Sequence, residues 1–173
     1  MAAQQTSVDD AQVVAFAGKV ETSGITDIRS FVNGEATAEI PFGRMVAHDT
    51  ADNEVDMMAS NADVPAGIAV HSHAYAKDDE LGDTGIKPNM VVSVLRRGRV
   101  WVNTEDLAGY DDAVRYRCTA SGDGAGEFLS ADPTGTDTVD ISKFARWLSV
   151  RSDAGLALLE IDMIGAIHRA NDS

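Results

Sequence analysis

His71 and His73, in the run AVHSHAY, are the residues of this chain best spaced to do chemistry. In an extended chain positions i and i+2 project from one face, so two imidazoles there can share a metal ion. The loop that follows, Lys77–Asp83 (KDDELGD), carries enough carboxylate oxygens to interest calcium. RRGR at Arg96–Arg99, with Trp101 beside it, is the one basic cluster of an acidic chain. Arginine forks grip carboxylates bidentately, and Arg with Trp is a favoured interface pairing. Arg146 beside Trp147 repeats that pairing.

Spacing argues against most of this chemistry. Metal-dependent jelly-roll enzymes of the cupin type follow a His-x-His pair with Glu four or five residues later; Glu80 comes seven residues after His73. Gly67 lies too close before the pair, and no second cupin box follows. His48 and His168 are the remaining histidines, and nothing in the sequence brings either near the pair. The acidic loop lacks the EF-hand order of Gly at six and Glu at twelve. GDGAG (Gly122–Gly126) is not followed by Gly-Lys-Ser/Thr, so it reads as a turn rather than a phosphate loop. No Gly-x-Ser-x-Gly elbow occurs. Cys118, the single cysteine, has no base at a defensible spacing and reads as a small core residue. The expectation is a protein with no catalytic residue, no metal and no cofactor.

Charge narrows the partners. Lys and Arg total 14 against 28 Asp and Glu, a formal net charge of −14 over 173 residues. Such a chain repels nucleic acid phosphates, so no nucleic acid partner is expected. There is no run of about 18 apolar residues, and the first 25 residues lack a basic start followed by an apolar stretch. The sequence therefore predicts a soluble protein, intracellular when made, with no membrane contact. A hydrophobic share of 44% suits one globular domain.

The elements that must position these residues are strands. Residues 1–10 are polar and aperiodic, and the reading is an N-terminal arm or docking segment over 1–26, then a single β domain over 27–173. Asn33-Gly34 is a hairpin dipeptide. FGRMVAHD and EVDMMA form a hairpin across an acidic turn, with Val55 and Met57 on one face. MVVSVLRRGRVWVN holds two strands around Arg97-Gly98, or one long bent strand. In DDAVRYRCTA, Val114, Tyr116 and Cys118 alternate with Arg115, Arg117 and Thr119. Strand-sized runs about ten residues apart predict an all-β fold, a small antiparallel sandwich or barrel of jelly-roll type. Val92, Val94, Val114, Tyr116, Leu158 and Ile161 are the predicted core. The tail IGAIHRAND is the best candidate for a short C-terminal helix, and Asp106–Asp112 is the second.

In order along the chain, IPFGRMVAHD, PAGIAVHSHAY, GIKPNMVVSVLRRGRVWV, DDAVRYRC and RWLSV…GLALLEIDM resemble the structural cement, or capsid decoration, proteins of tailed phages. The resemblance runs from about Phe31 to Met163. It implies a β-rich protein that binds the outer surface of an assembled head and clamps neighbouring major capsid subunits. It implies a place in the virion, the phage major capsid protein as partner, and self-association, as a homotrimer with a dimer as the alternative. It brings no catalytic residues. Arg96, Arg97, Arg99 and Trp101 are the expected interface anchors. The competing readings are a cupin-like metal-dependent enzyme on a similar β scaffold and a host-derived β-sandwich binding module.

Overall fold

A computed structural model describes residues 15–72, 85–118, 124–133 and 138–164. Eleven strands run through them: β1 (Val20–Glu21), β2 (Asp27–Asn33), β3 (Met45–His48), β4 (Glu54–Met57), β5 (Pro65–Val70), β6 (Val91–Thr104), β7 (Arg115–Arg117), β8 (Phe128–Leu129), β9 (Thr138–Asp140), β10 (Ala145–Trp147) and β11 (Gly155–Asp162). The all-β expectation holds. The tail proposed as a helix lies outside the described residues from 165 onward. The second helix candidate is not one: Asp106–Asp112 is a chain of turns bridged by the Ala108–Arg151 pairing.

Backbone pairing closes a small barrel. β2 pairs with β4, β4 with β3, β3 with β5, β5 with β6, and β6 returns to β2. Most of these ladders are antiparallel, but β2–β4 is parallel. That pairing corrects the Asn33-Gly34 reading. The dipeptide is not a hairpin turn; it ends β2, and the Gly34 N–H donates to the Val55 carbonyl. Asn33 is instead a buried staple. Its amide donates to the carbonyls of Ala38 (3.1 Å) and Ile86 (2.9 Å), and its Oδ1 accepts from the Glu35 N–H (3.0 Å). The predicted β3–β4 hairpin is present, in the register Val46↔Met57, Ala47↔Asp56, His48↔Val55.

The barrel interior is a small core of Ile40, Val46, Val55, Ala66, Ala69, Ile86, Val92 and Val94. A larger core lies against the outside of β3, β5 and β6, holding among others Met45, Ile68, Leu95, Val100, Tyr116, Phe128, Trp147 and Leu159. Its far side is supplied by β10–β11, which extend β6, and by the group β7, β8 and β9. The Trp147 indole N–H donates to the Ala113 carbonyl at 3.0 Å, so the largest core ring keeps its polar edge satisfied.

β6 serves both cores. Val92 and Val94 face the barrel interior; Leu95, Val100 and Val102 face the larger core. The change of parity is made by a bulge. Asp27 pairs with Arg97 and Ile28 with Leu95, so Arg96 is the extra residue. Gly98 follows at φ 138°, with Thr26 and Leu95 side chains against the place where a Cβ would sit. The run is thus one long bent strand. Of the predicted core, Val92, Val94, Val114, Tyr116 and Ile161 are buried. Leu158 is not: it and Ile161 have opposite parity, and β11 buries Ala157, Leu159 and Ile161.

Asn33 gives the first test. Asn33→Ala strips two carbonyls and one N–H of their partners in a fully buried site, and should cost about 2–4 kcal/mol in chemical denaturation. A loss below about 0.5 kcal/mol would show that the staple does not hold β2 to the segment at Ile86.

Candidate functional site

The arginine cluster is split by the bulge. Arg96 is the extra residue, and its carbonyl accepts from the Met163 N–H. Its charge lies close enough to His48 to act on it: partial burial, and then Arg96, lower the His48 pKa. The His48 ring packs edge-on against Phe31, with centroids 5.4 Å apart.

Arg97, Arg99 and Trp101 share the opposite, outward face of a sheet made by β10, β11, β6 and β1. Register stacks their neighbours in rows. One row reads Arg146, Glu160, Arg99, Glu21 across the four strands, alternating in charge. The next reads Asp162, Arg97, Asp27. Arg99 Nε donates to Glu160 Oε1 at 2.9 Å, and Arg146 Nε to Glu160 Oε2 at 2.6 Å. Arg97 lies 3.4 Å from Asp162. Burial works against ionisation of Glu160, but its bonds to the two guanidiniums outweigh burial and hold it below the usual carboxylate range. Beyond the charged rows, Trp101 stands opposite Leu158, both half-buried.

Composition marks the arginines but not their partners, which lie about sixty residues away in chain order and meet them only through the β6–β11 register. Alternation within GLALLEIDM is the available signal: Glu160 and Asp162 mark the outward parity.

Between the charged rows and two loops lies a groove of about 500 Å³. Its walls are Gly24–Thr26 and Ser142–Arg146; Arg97, Gly98, Arg99 and Glu160 line it as well. Ile25, 72% exposed, gives one wall an apolar lip.

A second charged feature stands on β4. Asp56 Oδ1 is buried without a hydrogen-bond partner. Burial, and then Asp49, Glu35, Glu54 and Asp63, push the Asp56 carboxyl up to about 6. Glu35 is held there by accepting the Met57 N–H at 3.0 Å.

The histidine pair is only half described. His71 sits at the end of β5, with its ring 5.3 Å from Phe16 and 5.1 Å from Phe42, and its backbone N–H donates to the Gly18 carbonyl. His73, His168 and the acidic loop 77–83 lie outside the described residues. Among the described residues no group of three or more His, Cys, Asp or Glu is placed to hold a metal ion. Cys118 is a buried free thiol continuing the Val114–Tyr116 face, as its alternation predicts. Gly126, in the stretch weighed as a phosphate loop, accepts the Met45 N–H and belongs to a turn packed on β3.

A family model described as structural cement protein (E217 gp24/Pam3 gp6) matches residues 4–162. The match begins far upstream of Phe31, so it takes in most of the N-terminal segment that the resemblance leaves out. No curated protein matches the chain. Among solved structures, a chain of "The capsid of Myoviridae Phage XM1" shares the fold, with a TM-score of 0.64 at 20% identity, covering 92% of this chain and 98% of that one.

Asp56 generates a prediction with a definite sign. Its folded pKa lies above the ordinary carboxylate value, so the folded chain binds a proton more tightly than the unfolded one. Above pH 6 the group is ionised in both states and the crowding of carboxylates destabilises the fold. As pH falls through about 6 toward 4, that penalty is relieved. Asp56→Asn should therefore raise stability by about 1 kcal/mol at pH 7.5, solvent screening included, and the gain should vanish near pH 4. Denaturant midpoints across that range measure it; a gain that does not change with pH would contradict the assignment.

Proposed function

The chain belongs to the structural cement protein family of phages, and from that premise we propose that it binds the outer surface of the assembled head and clamps neighbouring major capsid subunits. The family match over residues 4–162 carries this reading. The fold shared with a chain of a phage capsid structure supports it. The protein's place is the virion capsid. The family is a structural one, and no observation favours the cupin-like enzyme or the soluble-ligand module over it.

The finer assignments are our reading. Val20 and Glu21 pair with β6, which supports reading the end of the 1–26 segment as docked on the β domain of 27–173. A homotrimer, one copy serving each symmetry-equivalent seam, suits the closed symmetry of a capsid site. A lasting clamp needs on the order of 1,000 Å² or more buried at each contact.

The outward face of β10, β11, β6 and β1 is the best-supported contact surface. It joins half-buried Trp101 and Leu158 to a rim of paired charges, the arrangement of an interface with an apolar centre. Trp101 is its anchor, and Arg97 and Arg99 orient it. Arg96, set apart by the bulge, serves a different patch beside His48.

Head binding tests this. Purified protein should co-sediment with undecorated heads at a fixed copy number and raise the temperature at which they lose DNA. Trp101→Ala should weaken binding by about 2 kcal/mol, roughly thirtyfold in Kd, while the isolated domain stays folded by circular dichroism. Failure of the wild-type chain to bind heads would overturn the function; unchanged binding by the variant would remove Trp101 from the contact.

A further inference from the structure

The groove beside the charged rows is unusual for this chain. Arg97, Arg99, Lys143 and Arg146 line it against three carboxylates, an excess of one positive charge in a chain of net charge −14. Glu160 is shared by two guanidiniums, so its single negative charge answers two positive ones. Arg146 keeps 66% of its side chain exposed, and Lys143 stands on the rim. With the apolar lip of Ile25, the site suits an extended acidic peptide carrying a small aliphatic residue.

Two acidic segments lie outside the described residues; 73–84 is tethered at both ends to the barrel, at Val70 and at Ile86, which leaves the N-terminal one. Residues 1–14, MAAQQTSVDDAQVV, hold Val8 beside Asp9 and Asp10, and no Lys or Arg occurs before Lys19. Fourteen residues reach up to about 48 Å when extended. The path into the domain decides whose groove they meet. β1 is antiparallel to β6, with Val20 opposite Val100 and Glu21 opposite Arg99, so the chain enters from the Trp101 end. Phe16 is packed on His71, and Gly18 donates to the Trp101 carbonyl. The groove is at the other, Arg97 end. The described chain enters β1 from the Trp101 end, away from its own groove, which favours the groove of a neighbour.

We propose that this groove receives the N-terminal segment of a second copy of the chain, with Asp9 and Asp10 engaging Lys143 and Arg146 and Val8 against Ile25. The inference rests on the self-association proposed with the clamping function. It makes the groove a contact between copies and the segment a strap that links them.

The test uses the full chain with Asp9→Cys and Lys143→Cys together. Cys118, 5% exposed, stays out of the reaction. Mild oxidation should give covalently linked dimers and larger species on a non-reducing gel, and neither single variant should. Light scattering on the unoxidised wild type is read in parallel. A chain that self-associates but links only within itself, or not at all, overturns the strap and leaves the oligomer standing. A chain that stays monomeric overturns both. Should the cysteine pair fail to fold, charge exchange tests the same contact. Lys143→Glu with Arg146→Glu should weaken self-association about tenfold or more, as should Asp9→Lys with Asp10→Lys, and combining the four should restore it. Absence of that restoration overturns the proposal.

Discussion

One strand holds this molecule together. β6 is 14 residues long, about 46 Å of extended chain, and with β3 and β5 it borders both cores. Its first half closes the barrel between β5 and β2; its second half carries β11 on one edge and β1 on the other. Counted by strict alternation from Leu95, Arg97 and Arg99 would face the larger core and Val100 and Val102 would not. The bulge at Arg96 solves this by shifting parity once. After it, Val100 and Val102 turn inward while Arg97, Arg99 and Trp101 turn outward together. The outward face of Arg97, Arg99 and Trp101 therefore depends on the bulge.

Charge is arranged unevenly around that strand. On the outer face every arginine of the β6 rows stands opposite a carboxylate, at little desolvation cost since the pairs are half-exposed. On β4 the reverse holds: Asp56 has four acidic neighbours acting on it and an unpartnered oxygen. β4 is held against that repulsion by Val55 in the barrel interior and by its ladders with β2 and β3. The same chain thus carries one surface where arginines stand against carboxylates and one where a carboxylate stands among its own kind.

Much of this is legible in the residues. The β3–β4 hairpin and the buried face of Val114, Tyr116 and Cys118 follow from alternation and turn chemistry, which are local; these leave the β6 run as two strands or one bent strand, and it is one. What escapes such reading is non-local. Asn33-Gly34 has hairpin composition, but β2 takes a parallel partner that begins twenty-one residues later at Glu54, and no local signal reports that. Leu158 reads as core because β11 is apolar at nearly every position; only its two acids fix which face is out. The arginine cluster is visible as composition, while its division into a bulge residue and a paired face depends on register with β2 and β11.

These constraints bear on how a small β protein clamps a larger shell. Long arginine side chains lose rotamer freedom when an interface forms, and that loss subtracts from binding at every site. Here Arg97 and Arg99 are held before any partner arrives, each against a carboxylate on β11. If the face proposed above is the contact, the ordering cost is met in folding and docking loses less of its contact energy to it. Trp101 gains likewise, being half-buried against Leu158 in the free chain and limited to few rotamers. The face is also continuous with the barrel through a single hydrogen-bonded strand. From Trp101 the strand runs on into ladders with β5 and β2 rather than into a loop. Rigid presentation of modest contacts, repeated at every equivalent seam of a shell, stabilises the whole more than the affinity of one site would suggest.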